Sequence, residues 1–326
     1  MFHNVSINLI YFFFITLLVF GIIQKEIIKI SNNLALVDKN HSSIKTPLFG
    51  GSFLTIGLVI IYLVLFLNNE KNYFLSEYVF LFFIFLIGAI DDAKNIKALS
   101  RLILSTLVVL LIIQANEKLI INFLFIEKFY IFNNSFSIFF TILCFLLFQN
   151  ALNLMDGINC LVISFCITIL TLLTILDQNH LELKISLIII CIYLFFLNYK
   201  NITFLGDSGV YILSFAISIF TIESYKLNYK TFSPVDILML FCIPGYDMLR
   251  LFIERIINKK SPFSKDRKHL HHFLKKKISN LFVIILIYIA STISLFIISY
   301  YFNLKDFFVI LLSIATYFAI LIYAKN

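Results

Sequence analysis

Five short polar motifs in this chain hold the residues whose types could do chemistry. Each one follows or ends a long apolar run. They read DKNHSSIKTPLFGG from Asp38, IDDAKN from Ile90, NALNLMDGIN from Asn150, FLGDSG from Phe204 and SPFSKDRKHLHHFL from Ser261. A charge at the end of an apolar run costs free energy unless it pairs, binds an ion or faces water. The carboxylates and histidines of these motifs are therefore the first candidates for a functional site.

The residue types in the motifs favour a site for magnesium and phosphate. Carboxylate and amide oxygens suit Mg²⁺, which takes one or two carboxylates together with substrate phosphates and waters. Imidazole and guanidinium groups donate hydrogen bonds to phosphate, and guanidinium does so with two bonds at once. The whole set therefore suits a pyrophosphate substrate. Taken singly, Asp156 and Asp207 beside glycines could belong to ordinary turns, and HLHH could be a solvated helix face.

The elements that must position the motifs are membrane spans. Hydrophobic residues make up 61% of the 326 residues and charged residues 13%, which is more apolar than a soluble core needs. Because a span takes roughly 20 apolar residues, the runs predict eleven helices, at 7–28, 48–68, 74–91, 99–116, 136–153, 157–176, 184–199, 208–226, 234–255, 281–301 and 306–324. Polar residues interrupt 117–135, which we expect to be an extended hairpin resting on the membrane surface. The fold expected is one all-α polytopic membrane domain over 1–326.

The lysines and arginines predict how the chain is oriented. Nineteen of the 26 lie after odd-numbered helices or at the C-terminus, and seven lie in the opposite loops, Lys184 among them. This places the N-terminus outside and the C-terminus in the cytoplasm. All five motifs follow odd-numbered helices, so we expect them to meet on the cytoplasmic face. The segment 250–277 holds ten cations beside its three histidines, which is more than orientation requires.

Taken in order, the motifs resemble those of the polyprenyl-phosphate N-acetylhexosamine-1-phosphate transferases, the glycosyltransferase family 4 membrane enzymes that include MraY, WecA and TagO. The resemblance runs from Asp38 to about Lys276, and SPFSKDRKHLHHFL looks closer to the WecA and TagO branch. It implies transfer of an N-acetylhexosamine-1-phosphate, GlcNAc-1-phosphate first among them, from a UDP-sugar to undecaprenyl phosphate, releasing UMP. It also implies Mg²⁺, with Mn²⁺ as a substitute, and a multi-pass place in the bacterial inner membrane. The product would initiate a lipid-linked cell-envelope glycan.

The resemblance implies a role for each matching residue. The implied catalytic residues are Asp91, Asp92, Asp156, His269, His271 and His272. The implied substrate-binding residues are Lys45, Thr46, Gly50, Gly51, Asn150 and Arg267, and the implied metal ligands are Asp207 and Asn153. The implied partners are undecaprenyl phosphate, a UDP-N-acetylhexosamine and membrane lipid, without nucleic acid, and a homodimer stays open.

The chain departs from the family pattern at two places. Asn95 stands where a third acid often completes DDxxD, and Asn159 with Cys160 stands where DGxDG is common. Asparagine can bind a metal or a hydroxyl but carries no charge, so a different sugar, dispensable positions or weakened activity stay open. Three alternative functions also stay open: a phospho-MurNAc-pentapeptide transferase of peptidoglycan synthesis, a membrane transporter, and an inactive relative that binds the lipid carrier.

Overall fold

The structure, a computed structural model, describes residues 2–34, 46–67, 75–126, 128–262, 267–302 and 305–326. Twelve α-helices lie within these residues. They are α1 (Phe2–Leu34), α2 (Gly50–Leu67), α3 (Leu75–Lys94), α4 (Ala98–Ala115), α5 (Asn134–Met155), α6 (Leu161–Leu176), α7 (Leu181–Tyr199), α8 (Gly206–Asn228), α9 (Pro234–Ile257), α10 (Leu270–Lys277), α11 (Leu281–Tyr301) and α12 (Asp306–Lys325).

The eleven predicted helices are all present, with ends within four residues of the prediction for all but α1. The twelfth helix, α10, is a short helix inside the basic segment that the sequence analysis treated as a loop. Eight helices in the described part of the chain are long and apolar enough to cross a membrane. The predicted all-α polytopic membrane fold is confirmed, and the count of eleven spans stays a prediction.

Charge distinguishes α3 and α9 from these eight helices, although they are of similar length. α3 carries four charged residues and α9 carries five. Several of these side chains are buried, among them Asp91, Asp247 and Arg255. Charges inside apolar helices are costly unless they are paired, so α3 and α9 are the helices in which to look for a polar site.

The connection between α4 and α5 contains an antiparallel hairpin, β1 (Phe123–Ile126) and β2 (Lys128–Ile131), with Phe123 opposite Ile131. The Tyr225 hydroxyl accepts the Phe125 N–H at 2.8 Å. Tyr229 packs edge-on against Phe125, with ring centroids 5.5 Å apart. The predicted extended hairpin is therefore confirmed, while its contact with the membrane surface stays a prediction.

The chain divides into two compact units. The first comprises Met1–Leu119 and Cys166–Phe220, and the second comprises Ile120–Phe165 and Thr221–Asn326. In the first, α2 packs against α1, α3 and α7, and in the second α9 packs against α5, α11 and α12. The prediction of one domain over 1–326 stays a prediction.

Lys184 lies buried in the first unit, in α7, and not in a loop as the sequence analysis had it. Its ammonium donates to the carbonyls of Leu173 and Asp177 at 3.2 and 2.9 Å and to the Asp177 carboxylate at 3.0 Å. These carbonyls lie at the C-terminal end of α6, where a cation is favoured by the helix dipole and satisfies unpaired carbonyl groups. The cation therefore has a structural role in ending α6.

Close approach between helices explains a glycine in α3. A Cβ added to Gly88 would lie 2.3 Å from the Ser208 Cα, at the start of α8. We expect Gly88→Ala to destabilise the protein by about 1–3 kcal/mol because backbone atoms cannot move aside. Gly21→Ala in α1 is the matched control, since nothing lies within 4 Å of its added Cβ. Thermal unfolding in detergent should show a lower midpoint for Gly88→Ala only, and equal midpoints would contradict this packing.

Candidate active site

The first cluster of motif residues is built on Asp92, at the C-terminal end of α3. Its Oδ1 accepts the Asp207 N–H at 2.8 Å, and its Oδ2 accepts the Ser208 N–H at 3.1 Å and the Ser208 hydroxyl at 2.7 Å. The first N–H groups of a helix have no partner within it, and the positive end of the helix dipole favours an anion. Asp92 thus caps α8 from 115 positions away and fixes the backbone of Asp207.

Glycines allow this close approach. Gly206 has φ +72°, a conformation that favours glycine, and a Cβ there would lie 2.8 Å from the Asp92 Oδ2. A Cβ on Gly50 would lie 2.6 Å from the Leu205 Cα, and one on Gly51 would lie 2.3 Å from the Ser208 Oγ. Gly50 and Gly51 therefore have a packing role, and their predicted part in substrate binding stays a prediction.

A short parallel bridge joins the first motif to FLGDSG. The Phe204 N–H donates to the Pro47 carbonyl at 2.8 Å, and the Gly50 N–H donates to the Phe204 carbonyl at 3.0 Å. The Thr203 hydroxyl donates to the Pro47 carbonyl at 3.0 Å. Thr46, just before this bridge, is fully buried. Lys45 lies outside the described residues.

Asp91 has a different role from its neighbour. It is 2% exposed, and its Oδ2 accepts Arg101 at 3.0 Å and the Tyr211 hydroxyl at 3.1 Å. Its Oδ1 accepts the Ile96 N–H at 3.0 Å. Asp91 therefore ties α3 to the starts of α4 and α8, through a partly buried ion pair with Arg101 and a hydrogen bond from Tyr211. Sequence reasoning missed Tyr211 and counted Arg101 only as an orienting cation, although it begins an apolar helix.

The donor chemistry of this cluster fits a magnesium ion. Among the residues that the structure describes, no group of three His, Cys, Asp or Glu side chains forms a ready metal site. Mg²⁺ does not need one, because substrate phosphates and waters complete its six ligands. The Asp92 oxygens already accept three hydrogen bonds, and the predicted metal contact of Asp207 stays a prediction. Asn153 lies in the second unit, and its predicted metal contact stays a prediction.

The second cluster contains the three histidines. His269 precedes α10, and His271 and His272 lie in its first turn. The rings of His271 and His272 have centroids 4.2 Å apart, and those of His269 and His271 are nearly parallel at 5.4 Å. His269 and His271 are 6% and 1% exposed. HLHH is therefore not a solvated helix face: His269, Leu270 and His271 are buried and His272 is partly exposed.

The turn after α5 lies directly on this cluster. Asp156 is the C-cap of α5, and a Cβ added to the following Gly157 would lie 2.2 Å from the His271 Nε2. The DGIN turn and the histidines thus meet within the second unit. Asn150 donates its side-chain N–H to the Leu146 carbonyl of its own helix at 2.7 Å, and Arg267 is exposed. The predicted binding roles of these two residues stay predictions.

Two residues of the second unit were missed by the sequence analysis. Asp247 accepts the Leu270 N–H, and Arg250, which the sequence analysis counted among the ten cations of 250–277 without a role of its own, donates to the Lys268 carbonyl at 2.7 Å. Both therefore hold the backbone that carries the histidines. The signal for them was a carboxylate and a guanidinium three positions apart inside an apolar helix.

The backbone conformation at position 95 explains why asparagine is found there. Its φ is 49°, and its N–H donates to the Asp91 carbonyl at 2.8 Å just after α3. Asparagine is one of the few residues that adopt this left-handed conformation readily at a helix end. The position where DDxxD often has a third acid is thus, in this chain, a helix end whose backbone conformation favours glycine or asparagine.

These features define a class, a multi-pass α-helical membrane protein with polar clusters at its helix ends. Residues 74–225 match the model of Glycosyl transferase family 4. The chain is 27% identical over 282 residues to a probable undecaprenyl-phosphate N-acetylglucosaminyl 1-phosphate transferase of Bacillus subtilis (strain 168), covering 82% of this chain and 77% of that protein.

A second relative is the undecaprenyl-phosphate alpha-N-acetylglucosaminyl 1-phosphate transferase of Escherichia coli (strain K12), 27% identical over 271 residues, with 76% of this chain and 71% of that protein covered. A Salmonella typhi protein of the same description is 26% identical over 268 residues, with the same coverage. The chain is thus similar to undecaprenyl-phosphate N-acetylglucosaminyl 1-phosphate transferases over three quarters or more of its length, and the resemblance that its motifs indicated is confirmed.

Substitutions at Asn95 separate its backbone role from a role in binding. Asn95→Gly should stay close to the wild type in stability and keep its activity, because glycine adopts positive φ without steric cost. Asn95→Val should destabilise the protein by about 1–2 kcal/mol, since a branched side chain clashes in this conformation. Unfolding midpoints and transfer rates of both variants check this. Loss of activity in a stable Asn95→Gly variant would show instead that the amide contacts substrate.

Proposed function

We propose that the protein transfers GlcNAc-1-phosphate, or a related N-acetylhexosamine-1-phosphate, from a UDP-sugar to undecaprenyl phosphate. Two independent lines support this. Relatives that align with three quarters or more of the chain are named undecaprenyl-phosphate N-acetylglucosaminyl 1-phosphate transferases. The observation that carries the proposal is structural. Three hydrogen bonds join Asp92 to Asp207 and Ser208 in the first turn of α8, here called the Asp207 turn, and all three residues belong to the motifs behind the resemblance.

The proposed reaction joins two anions. An oxygen of the lipid phosphate attacks the β-phosphorus of the UDP-sugar, and a new P–O bond forms. The bond from that phosphorus to the bridging oxygen breaks, and its electron pair leaves with UMP. Such a transfer needs alignment and charge neutralisation more than covalent help. Because a phosphate nucleophile is already ionised near neutral pH, Asp91 and Asp92 need not act as bases, which agrees with their contacts to protein groups.

In this proposal each cluster has a separate task. Mg²⁺ would supply charge neutralisation at the pyrophosphate, held by Asp207 with Asn153 as a second ligand. Asp92 holds the Asp207 turn in place, and Asp91 holds the ends of three helices. His269, His271, His272 and Arg267 would donate hydrogen bonds to phosphate oxygens, and Asp156 would lie near the nucleotide-sugar.

The proposed location is the bacterial inner membrane, with the N-terminus outside and the reaction on the cytoplasmic face. The excess of cations after odd-numbered helices supports this orientation. The UDP-sugar would then reach the site from the cytoplasm and the lipid phosphate from the membrane. The product would begin a lipid-linked cell-envelope glycan.

The test uses membranes that contain the full chain, incubated with radiolabelled UDP-GlcNAc, undecaprenyl phosphate and Mg²⁺. We expect a lipid-extractable labelled product, and a rate lowered at least about hundredfold by Asp207→Asn, since the carboxylate that would hold the charge-neutralising Mg²⁺ is lost. Glu117→Gln is the matched control, because it removes an exposed carboxylate between α4 and the hairpin. It should keep the full rate.

A panel of UDP-sugars decides the donor. A product formed only with UDP-MurNAc-pentapeptide would assign the chain to peptidoglycan synthesis instead. No lipid-linked product with any UDP-N-acetylhexosamine, or an undiminished rate in Asp207→Asn, would contradict the proposal.

A further inference from the structure

The histidine cluster is fastened through the backbone on both sides of His269. The Leu270 N–H donates to both carboxylate oxygens of Asp247 on α9, each at 3.2 Å. Arg250, one turn further along α9, donates Nη2 to the Lys268 carbonyl at 2.7 Å. The His269 Nδ1 itself lies 3.4 Å from the Asp247 Oδ2. The segment 268–270 is thus held by α9 through its backbone at two residues, Lys268 and Leu270, with the His269 ring beside Asp247.

Tyr317 on α12 completes the network. Its hydroxyl donates to the Asp247 Oδ1 at 2.9 Å and accepts the Arg250 Nε–H at 2.8 Å. Arg250 and Asp247 also form an ion pair at 2.7 Å, with side chains only 8% and 9% exposed. A buried ion pair whose remaining donors and acceptors are satisfied is rigid, because breaking any one contact leaves a buried charge partly unpaired.

The short helix α10 needs such support. It has eight residues, fewer than an isolated helix requires for stability in water. Its N-cap residue, His269, makes no side-chain capping hydrogen bond. Asp247 takes that place from another helix, since its carboxylate receives the first N–H of α10, where an anion is favoured.

We propose that Asp247, Arg250 and Tyr317 are positioning residues, which act on the substrate phosphates only through the place they give to the three histidines. The inference rests on the proposed function for its catalytic consequence, but the placement of the histidines is measurable without any turnover. None of the three residues is required to touch a substrate.

The first experiment measures histidine accessibility in the full-length protein in detergent. Diethyl pyrocarbonate modification of His269 and His271 is followed by mass spectrometry. Tyr317→Phe should raise the modification rate severalfold, because two hydrogen bonds of the network are lost. Tyr246→Phe is the matched control: it also removes one hydroxyl between α9 and α12, bonded to the Ser313 Oγ at 2.8 Å. It should match the wild type.

Asp247→Asn is a second variant and should also raise the modification rate. Unchanged modification in both Tyr317→Phe and Asp247→Asn, or an equal rise in Tyr246→Phe, would overturn the inference. A wild-type protein without transferase activity would refute the proposed function, and the modification rates would still decide the placement of the histidines.

The second experiment is a double-mutant cycle on the transfer reaction. Tyr317→Phe should lower kcat/KM about tenfold, because small misplacements of catalytic groups are costly. In a His271→Ala background the same change should cost clearly less than about tenfold, since one of the three groups through which it acts is already gone. Independent losses that multiply in the double variant would indicate a general structural effect and would overturn the positioning role.

Discussion

The unpaired N–H groups at the starts of two helices are the constraint on which both clusters depend. In apolar surroundings an unsatisfied N–H group costs several kcal/mol. Here the N–H groups at the starts of α8 and α10 find carboxylates on other helices, Asp92 for α8 and Asp247 for α10. The segments that carry Asp207 and the histidines are therefore fixed by anions that lie far away in sequence.

The surrounding residues follow from this arrangement. Asp92 can reach the start of α8 only if backbones approach closely, and Gly51, Gly88 and Gly206 lie where a side chain would collide. Asp91 and Asp247 are buried anions, and each is balanced by an arginine, Arg101 and Arg250 respectively. The chemistry of the paired aspartates thus separates into one residue that caps a helix and one that joins three helices.

The sequence predicted the features that depend on residues close together in the chain. Apolar runs predicted the eleven long helices, and interrupted polarity predicted the hairpin. Motif chemistry selected Asp92, Asp207 and the histidines. The sequence did not predict contacts between distant positions. Tyr211 and Asp91 are 120 residues apart in the chain, and Tyr317 and Asp247 are 70 residues apart. Periodicity carries no information on such pairs, and tyrosine is too common in this chain to stand out.

The central claim is that the Asp92 carboxylate holds the Asp207 turn in the position that transfer requires. It is tested most directly by the initial rate of lipid-linked product formation across the series wild type, Ser208→Ala, Asp92→Asn and Asp92→Ala, with the unfolding midpoint of each variant measured alongside. The account predicts rates that fall in that order, as one and then more of the three hydrogen bonds are lost. A folded Asp92→Ala variant with the wild-type rate would contradict it.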